Sequence, residues 1–546
     1  MRGRDLTAER ILTMDVVDGG SAVAIALETL GVTRVFAIPS AHNLAVLSAL
    51  HRRGRIVVTG CRHEQGVVHA ADGYARTTGG LGVAIVSTGP GTANAMGGLY
   101  EAHYASSPVL LVTTQIPTHE RGRRRGFVHE AEHQADMLET VCKRVASITD
   151  PDEIAETVVA LGRLARQGRP RPVAVQIPID VQGMSARVDP ARLTDTVRPT
   201  RARRPEPASV SDAARLLSAA ERPVIWAGGG VLRAGAETAL VDFARKWNAP
   251  VLTTREGRAA IPDDDPLSLG ALGAIDPMPD YLATCDAMLA VGTRFQQYPT
   301  AGWTLPLPRQ LVHLDIDPAM IDRAYPSAVA LVADAREGLR ALTAAIDAPG
   351  AAADAGRMRH VAAGQTAART ARELVVRHAG PDHTAISDVL NSRRSRSAVV
   401  VRDATVPAYV WGETLLAAWE PRTSIRSTGA GIGPGLPLAI GAALATGEHT
   451  ILLQGDGGFM LSVGELATAV QAQARVVICL FNDSGYGMLR NIERTTGDGM
   501  QHDVDLSAPD FTTLATAFGV RSDRVGSAAE FDDALSGALA HHGPTR

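Results

Sequence analysis

Two short stretches of this chain combine glycine, carboxylate and amide groups in a way that suits metal and phosphate chemistry. The apolar run Thr450-Ile451-Leu452-Leu453-Gln454 closes on Gly455-Asp456-Gly457-Gly458, and Val476–Phe481 closes on Asn482-Asp483-Ser484-Gly485-Tyr486-Gly487. Each pattern predicts a buried strand ending in a glycine turn, where backbone N–H groups approach a phosphate closely. An aspartate in such a turn offers a hard oxygen ligand to a divalent cation. The stretch from Phe459 to Gln473 reads as a helix whose N-terminus adds a favourable partial charge. Parallel strands joined by one helix put their carboxyl ends side by side, which is where α/β sheets bind ligands. Asp456 and Asp483, separated by 483 − 456 = 27 positions, can then share one metal. The plain alternative is a pair of ordinary turns in which aspartate caps a helix. Finding both turns on one strand-helix-strand unit counts against it.

The elements that must position these residues form three blocks in which strand-like runs alternate with Ala- and Leu-rich helical stretches, the pattern of parallel sheets wrapped by helices. The first block covers residues 1–185, with strands expected at Val35–Ile38, Gly82–Val86, Val109–Val112 and Val173–Val175. It closes at a Pro- and Arg-rich linker, Arg198–Pro205. The second covers 207–346, with strands at Val224–Ala227, Ala287–Val291 and Leu311–Ile316. Its Gly228-Gly229-Gly230 follows a strand, either as a bare structural turn or as a nucleotide-binding one. Residues 350–375 read as a helical connector, and the third block, 380–546, carries the two glycine turns.

The paired turns resemble the thiamine diphosphate motif, which begins Gly-Asp-Gly and ends in Asn-Asn a similar distance on. Other segments share the likeness. Arg62-His63-Glu64-Gln65-Gly66, ahead of Ala70-Ala71-Asp72-Gly73-Tyr74-Ala75-Arg76, resembles the family's catalytic-glutamate segment. Ser87-Thr88-Gly89-Pro90-Gly91-Thr92-Ala93-Asn94 resembles the glycine turn that follows it. Gly429-Ala430-Gly431-Ile432-Gly433-Pro434-Gly435 is similar to a loop whose bulky apolar residue wedges the cofactor into a bent form, and Ile432 stands at that position. His313-Leu314-Asp315-Ile316-Asp317-Pro318 looks like acetolactate-synthase relatives.

The resemblance implies an α/β fold of three doubly wound parallel-sheet domains: pyrimidine-binding, central Rossmann-like and diphosphate-binding. It implies Mg²⁺ held by Asp456, Asp483 and the carbonyl of Gly485. Thiamine diphosphate would be held around Gly455, Gly457, Gly458, Thr405, Gly431, Ile432 and Asn482. Glu64 becomes the catalytic carboxyl group set against the aminopyrimidine ring. Sites of this family are shared between subunits, so a homodimer or homotetramer is expected. Asp483 departs from the usual Asn and brings an extra negative charge next to the diphosphate.

The family likeness leads to decarboxylation of a small 2-oxo acid, with the fragment passed to a second carbonyl as in acetolactate synthases or released as an aldehyde. A cofactor-binding subunit without turnover is the reading from another class, and the retained Glu64 argues against it. Biosynthetic acetolactate synthases carry a Trp near the position of Ile492 and a Met-His-Gly segment where this chain has Ala274-Ile275-Asp276. Both differences speak against strict acetolactate synthesis, and the second against bound FAD. Benzoylformate decarboxylases have an active-site His where Ser87 stands, and the loss of that proton donor favours ligation to a carbonyl. His42 and His129 are the remaining candidates for substrate contact. The basic run Arg121, Arg123, Arg124 and Arg125 is either a solvated face or a rim for an acidic substrate.

Composition sets outer bounds. With 546 residues and 45% apolar content the chain builds more than one core, and a net charge of −4 gives no basic field for nucleic acid. No run has the length of a membrane helix and the first residues have no signal-peptide core, so no membrane partner and a cytoplasmic location are expected. Four scattered cysteines fit a reducing compartment.

Overall fold

The computed structural model describes residues 15–197, 202–348, 350–496 and 503–541. Linker positions 198–201 lie outside these. The first part of the chain holds β1 (Asp15–Asp18), β2 (Arg34–Ala37), β3 (Val57–Gly60), β4 (Gly82–Ile85), β5 (Val109–Gln115), β6 (Val145–Ser147), β7 (Val173–Pro178) and β8 (Ser185–Val188). Six of these form one sheet in the order β3-β2-β4-β5-β7-β6, parallel throughout. Strands β1 and β8 pair antiparallel as a separate ribbon. The central strands β4, β5 and β7 are buried along their whole length and so read as mainly apolar runs without alternation.

A second six-stranded parallel sheet follows from β9 (Pro223–Ala227), β10 (Val251–Thr253), β11 (Ser268–Gly270), β12 (Ala287–Val291), β13 (Gln310–Asp315) and β14 (Val329–Val332), in the order β11-β10-β9-β12-β13-β14. The third sheet has four strands, β15 (Val399–Arg402), β16 (Ser424–Arg426), β17 (Thr450–Gly455) and β18 (Val476–Phe481), ordered β16-β15-β17-β18. The chain is therefore an α/β protein of three parallel sheets. The strand order reverses between β9 and β12 in the second sheet, between β15 and β17 in the third, and between β2 and β4 in the first, which turns back once more at β7-β6. Such reversals open crevices at the carboxyl ends of the strands.

Among the helices that connect or flank these strands are α1 (Glu64–Thr78), α2 (Pro90–Tyr104), α3 (Ala351–Arg393), α4 (Gly435–Thr446), α5 (Asp456–Met460), α6 (Glu465–Gln471) and α7 (Gly487–Thr496). The connector expected at 350–375 is the first part of α3, which kinks at Gly380 before Pro381. The single helix expected from Phe459 to Gln473 is instead two, α5 and α6, broken at Leu461–Gly464 by Ser462 and Gly464, both poor helix residues. At five residues, α5 contributes far less dipole at Asp456 than one long helix would. Helices α1 and α4 join the first and third sheets at backbone contact. A Cβ at Gly73 would lie 2.1 Å from the Leu438 carbonyl oxygen, and one at Gly441 2.0 Å from that of Ala70.

His69 sits inside this junction with Nδ1 unpartnered, and burial pushes its pKa to about 4 from 6.5. At pH 7 the ring is neutral in folded and unfolded chains alike. As pH falls below 6.5 the unfolded chain takes up a proton that the folded one refuses, so stability drops until about pH 4. The loss amounts to about 3 kcal/mol. His69→Gln is expected to flatten this part of the stability profile, measured by urea unfolding between those pH values.

Candidate active site

At the first crevice, the ends of β2 and β4 bring together three residues singled out by sequence and one that was not. Ser40 follows β2 and Ser87 follows β4; their Oγ atoms are 2.8 Å apart. Ser87 Oγ lies 3.2 Å from Nδ1 of His129, and Ser40 Oγ lies 3.4 Å from Nδ1 of His42. The two imidazoles stack with centroids 4.8 Å apart and planes inclined by 22°. Two imidazoles are thus joined by two hydroxyls in an unbroken chain, His42–Ser40–Ser87–His129. Burial, followed by the charge of His129, lowers the pKa of His42, so its ring is neutral at neutral pH.

The loop carrying His129 is held from both ends. Gly89 has φ +62°, and a Cβ there would lie 2.6 Å from the His129 carbonyl oxygen. His129 itself has φ +65°, a conformation costly for a residue with a side chain and concentrated at functional sites. Within this loop Arg124 pairs with Glu132 and Arg125 with Glu120, all on the exposed surface. Two members of the basic run are therefore satisfied by neighbouring carboxylates, which favours the solvated-face reading for them.

Glu64 is the first residue of α1, and its Oε2 accepts a hydrogen bond from Asn94 Nδ2 at 3.0 Å. Gly91 connects it to the histidine cluster: a Cβ there would be 3.1 Å from Ser87 Cβ and 3.3 Å from Glu64 Oε1. Gly91 therefore sets Glu64 beside Ser87 and the histidine cluster.

The third crevice holds the second cluster. Parallel pairing places Gly455 opposite Phe481, so Asp456 and Asn482 leave their strands side by side. Asp456 Oδ2 accepts the N–H of Gly485 at 3.0 Å, while the buried Oδ1 has no hydrogen-bond partner. The Asp483 carboxyl is pushed up by burial and then by the charge of Asp456, and is opposed by Arg490. Arg490 lies 3.3 Å from Asp483 Oδ2 and also donates to the carbonyls of Asp483 (3.1 Å) and Ser484 (2.8 Å). Asp483, where the family resemblance implied asparagine, thus has a counter-ion that it shares with Asp505.

The glycines allow neighbouring side chains to pack against the turn that carries Asp456. A Cβ at Gly455 would lie 2.9 Å from Thr405 Oγ1, one at Gly457 2.7 Å from the Tyr486 ring, and one at Gly458 3.1 Å from Asp403 Oδ2. Asp403, not picked out from sequence, is buried and pushed up to about 6 by burial. It accepts the N–H of Gly433 at 2.9 Å and so holds the loop carrying Gly431 and Ile432. Ser427 Oγ closes that loop by donating to the Gly431 carbonyl at 2.6 Å. Asn482 is exposed, and its Oδ1 accepts the N–H of Ser484 at 3.1 Å.

At the second crevice Gly228 and Gly230 pack directly on Gly292, where added Cβ atoms would approach to 2.3 and 2.5 Å. Packing alone accounts for Gly228 and Gly230, while Gly229 and Gly230 border a cavity of about 860 Å³ also lined by Arg76, Arg169, Arg294 and Arg426. Among the described residues no cluster of three or more His, Cys, Asp or Glu side chains forms a metal site, and no hydrogen bond joins Glu64 to Asp456 or Asp483. Among those residues, too, no helix is long and apolar enough to cross a membrane.

Comparison with known proteins places these clusters in context. Residues 17–139 match the model described as "Thiamine pyrophosphate enzyme, N-terminal TPP binding domain", 210–342 its central domain and 407–546 its C-terminal TPP binding domain. The chain is 32% identical to the "Probable acetolactate synthase large subunit" of Methanocaldococcus jannaschii, over 96% of this chain and 90% of that protein. It is 34% identical to the "Probable 2-ketoarginine decarboxylase AruI" of Pseudomonas aeruginosa, over 93% of this chain and 90% of that one. Against the acetolactate synthase isozyme 2 large subunit of Escherichia coli the identity is 31%, over 97% and 94%.

Proposed function

The chain belongs to the thiamine pyrophosphate enzyme family, and from that premise we propose that it removes CO₂ from a 2-oxo acid and protonates the remaining fragment, releasing an aldehyde. The observation that carries the choice of product is the imidazole pair at Ser87. The absence of a histidine at that position argued, on sequence alone, for passing the fragment to a second carbonyl. His129 reaches the Ser87 hydroxyl directly and His42 reaches it through Ser40, and the pair supplies a proton donor in place of the missing histidine.

The third crevice suits the cofactor on its own features: an orphaned buried carboxylate oxygen, two neighbouring aspartates whose like charges a cation relieves, and three glycines around Asp456 whose backbone is unshielded by side chains. Asp456, Asp483 and the Gly485 carbonyl would hold Mg²⁺, which favours oxygen ligands. Gly455, Gly457, Gly458, Asn482 and Thr405 would receive the diphosphate, with Gly431 and Ile432 against the rings. Bound there, thiamine diphosphate supplies a nucleophilic carbon and an electron sink.

The chain's own groups then divide the proton traffic. Asn94 engages Oε2 of Glu64, leaving Oε1 to hold and return a proton. His42 and His129 hold protons at ring nitrogens, and the Ser40 and Ser87 hydroxyls pass one between the two Nδ1 atoms. Their task is delivery to the substrate carbon that CO₂ has left. As in the family the chain belongs to, a complete site is proposed to take the Glu64 cluster and the Asp456 cluster from different copies, in a homodimer or homotetramer. Carboligation is the second reading, supported by the acetolactate synthase relatives. FAD has no part in either route as proposed.

The test is His42→Gln and His129→Gln with an acceptor aldehyde present. Aldehyde release is expected to slow by about 10²-fold while the hydroxyketone share of product rises. An unchanged rate and product ratio would remove the imidazole pair from the reaction.

A further inference from the structure

Glu465 opens α6, directly after the turn that carries Asp456, and is almost completely buried. Its contacts lie in another domain. Oε1 accepts the backbone N–H groups of Arg62 at 3.1 Å and His63 at 3.0 Å, the two residues immediately before Glu64. Oε2 is occupied by Thr468 Oγ1 at 2.6 Å. The approach is so close that Gly66 has no room for a side chain: a Cβ would lie 2.2 Å from Glu465 Oε1. Nearby, Arg62 donates to Gln471 Oε1 at 2.6 Å, a second tie between α6 and the same segment.

The arrangement has a counterpart in the opposite direction. Glu101, on the helix whose Asn94 holds Glu64, accepts the N–H groups of Thr428 at 2.7 Å and Gly429 at 2.8 Å, at the start of the Ile432 loop. Each half-site is thus fixed in part by a buried carboxylate from the same chain's other half-site, which completes a neighbouring site in the assembly.

We propose that Glu465 is a positioning residue that fixes the backbone from which Glu64 projects, tying the direction of Glu64 to the turn that bears Asp456. This rests on the role given to Glu64 above. A carboxylate accepting two N–H groups makes stronger bonds than a neutral acceptor, and near a helix N-terminus its charge is favourable. Loss of the acceptor frees the segment to rotate, and a displacement on the scale of an ångström at a reacting group costs about 10²-fold in rate.

The test compares E465A, E465Q, G66A and E64Q in the full-length protein. Amide hydrogen exchange of the 61–65 segment is read without cofactor, and kcat and KM with thiamine diphosphate and Mg²⁺. E465A is expected to accelerate exchange at Arg62 and His63 and to lower kcat by about 10- to 100-fold, with KM changed by less than about threefold. E465Q keeps an oxygen for both N–H groups and is expected to rescue both readouts. G66A, which displaces the Glu465 carboxyl without removing it, is expected to reproduce E465A, and it serves if E465A does not fold. Accelerated exchange in E465A with wild-type kcat, or E465Q as impaired as E465A, would overturn the positioning role. Full activity in E64Q would instead overturn the role of Glu64 on which it rests.

Discussion

Glu64→Gln is expected to lower CO₂ release by about 10²- to 10⁴-fold, the range that a positioned acid or base contributes, while thiamine diphosphate still binds. Glutamine fills the same volume and can still accept the hydrogen bond that Asn94 Nδ2 makes at 3.0 Å. It cannot carry the proton. A carboxyl group that merely capped α1 could be replaced with little effect on turnover, because His63 already provides the side-chain cap by accepting the Gln65 N–H. Steady-state CO₂ release measured beside cofactor binding separates the two roles. A strong loss of rate at unchanged affinity marks proton transfer, and parallel losses mark a binding contact.

Asp456→Ala carries the second large effect. Removing residues that only support metal ligands costs 10- to 100-fold in affinity, so removing a ligand itself is expected to cost about 100-fold or more. Here Asp456 supplies both an orphaned buried oxygen and the acceptor for the Gly485 N–H, so the substitution also loosens the loop that offers the third ligand. Asp483→Asn is expected to shift Mg²⁺-dependent cofactor affinity by less than about tenfold, because the amide keeps an oxygen for the metal. Arg490 retains Asp505 at 2.7 Å as its partner after the change. Calorimetric titration of thiamine diphosphate at saturating Mg²⁺ measures both. Equal losses in the two variants would contradict the division of roles between the aspartates.

The pairing of the two glycine turns was legible because its signal is local: an apolar strand, a glycine turn and an acid succeed one another within a few residues, and the second strand repeats the pattern. The three sheets were legible for the same reason, since strands buried on both faces leave unbroken apolar runs. What escaped was everything built from distant contacts. Glu465 acts on residues 403 and 402 positions away, and nothing around it in sequence differs from an ordinary helix glutamate. Ser40, Glu101 and Asp403 likewise gain their partners only when the strand ends converge. His42 and His129 could be named as candidates, but not as a stacked pair linked to Ser87, and that pair supports the alternative to the inference drawn from the missing histidine. The helix expected at Phe459–Gln473 failed on a local conflict: its apolar pattern continues through Ser462 and Gly464, and the chain breaks there.

The measurement closest to the central claim is product analysis of the purified protein with thiamine diphosphate and Mg²⁺ on a panel of 2-oxo acids, following CO₂ and the organic product together. One aldehyde released per CO₂, lost in Glu64→Gln, is the predicted result. A hydroxyketone as the main product would contradict protonation by the histidine pair, and no CO₂ from any acid despite bound cofactor would contradict the decarboxylase reading itself.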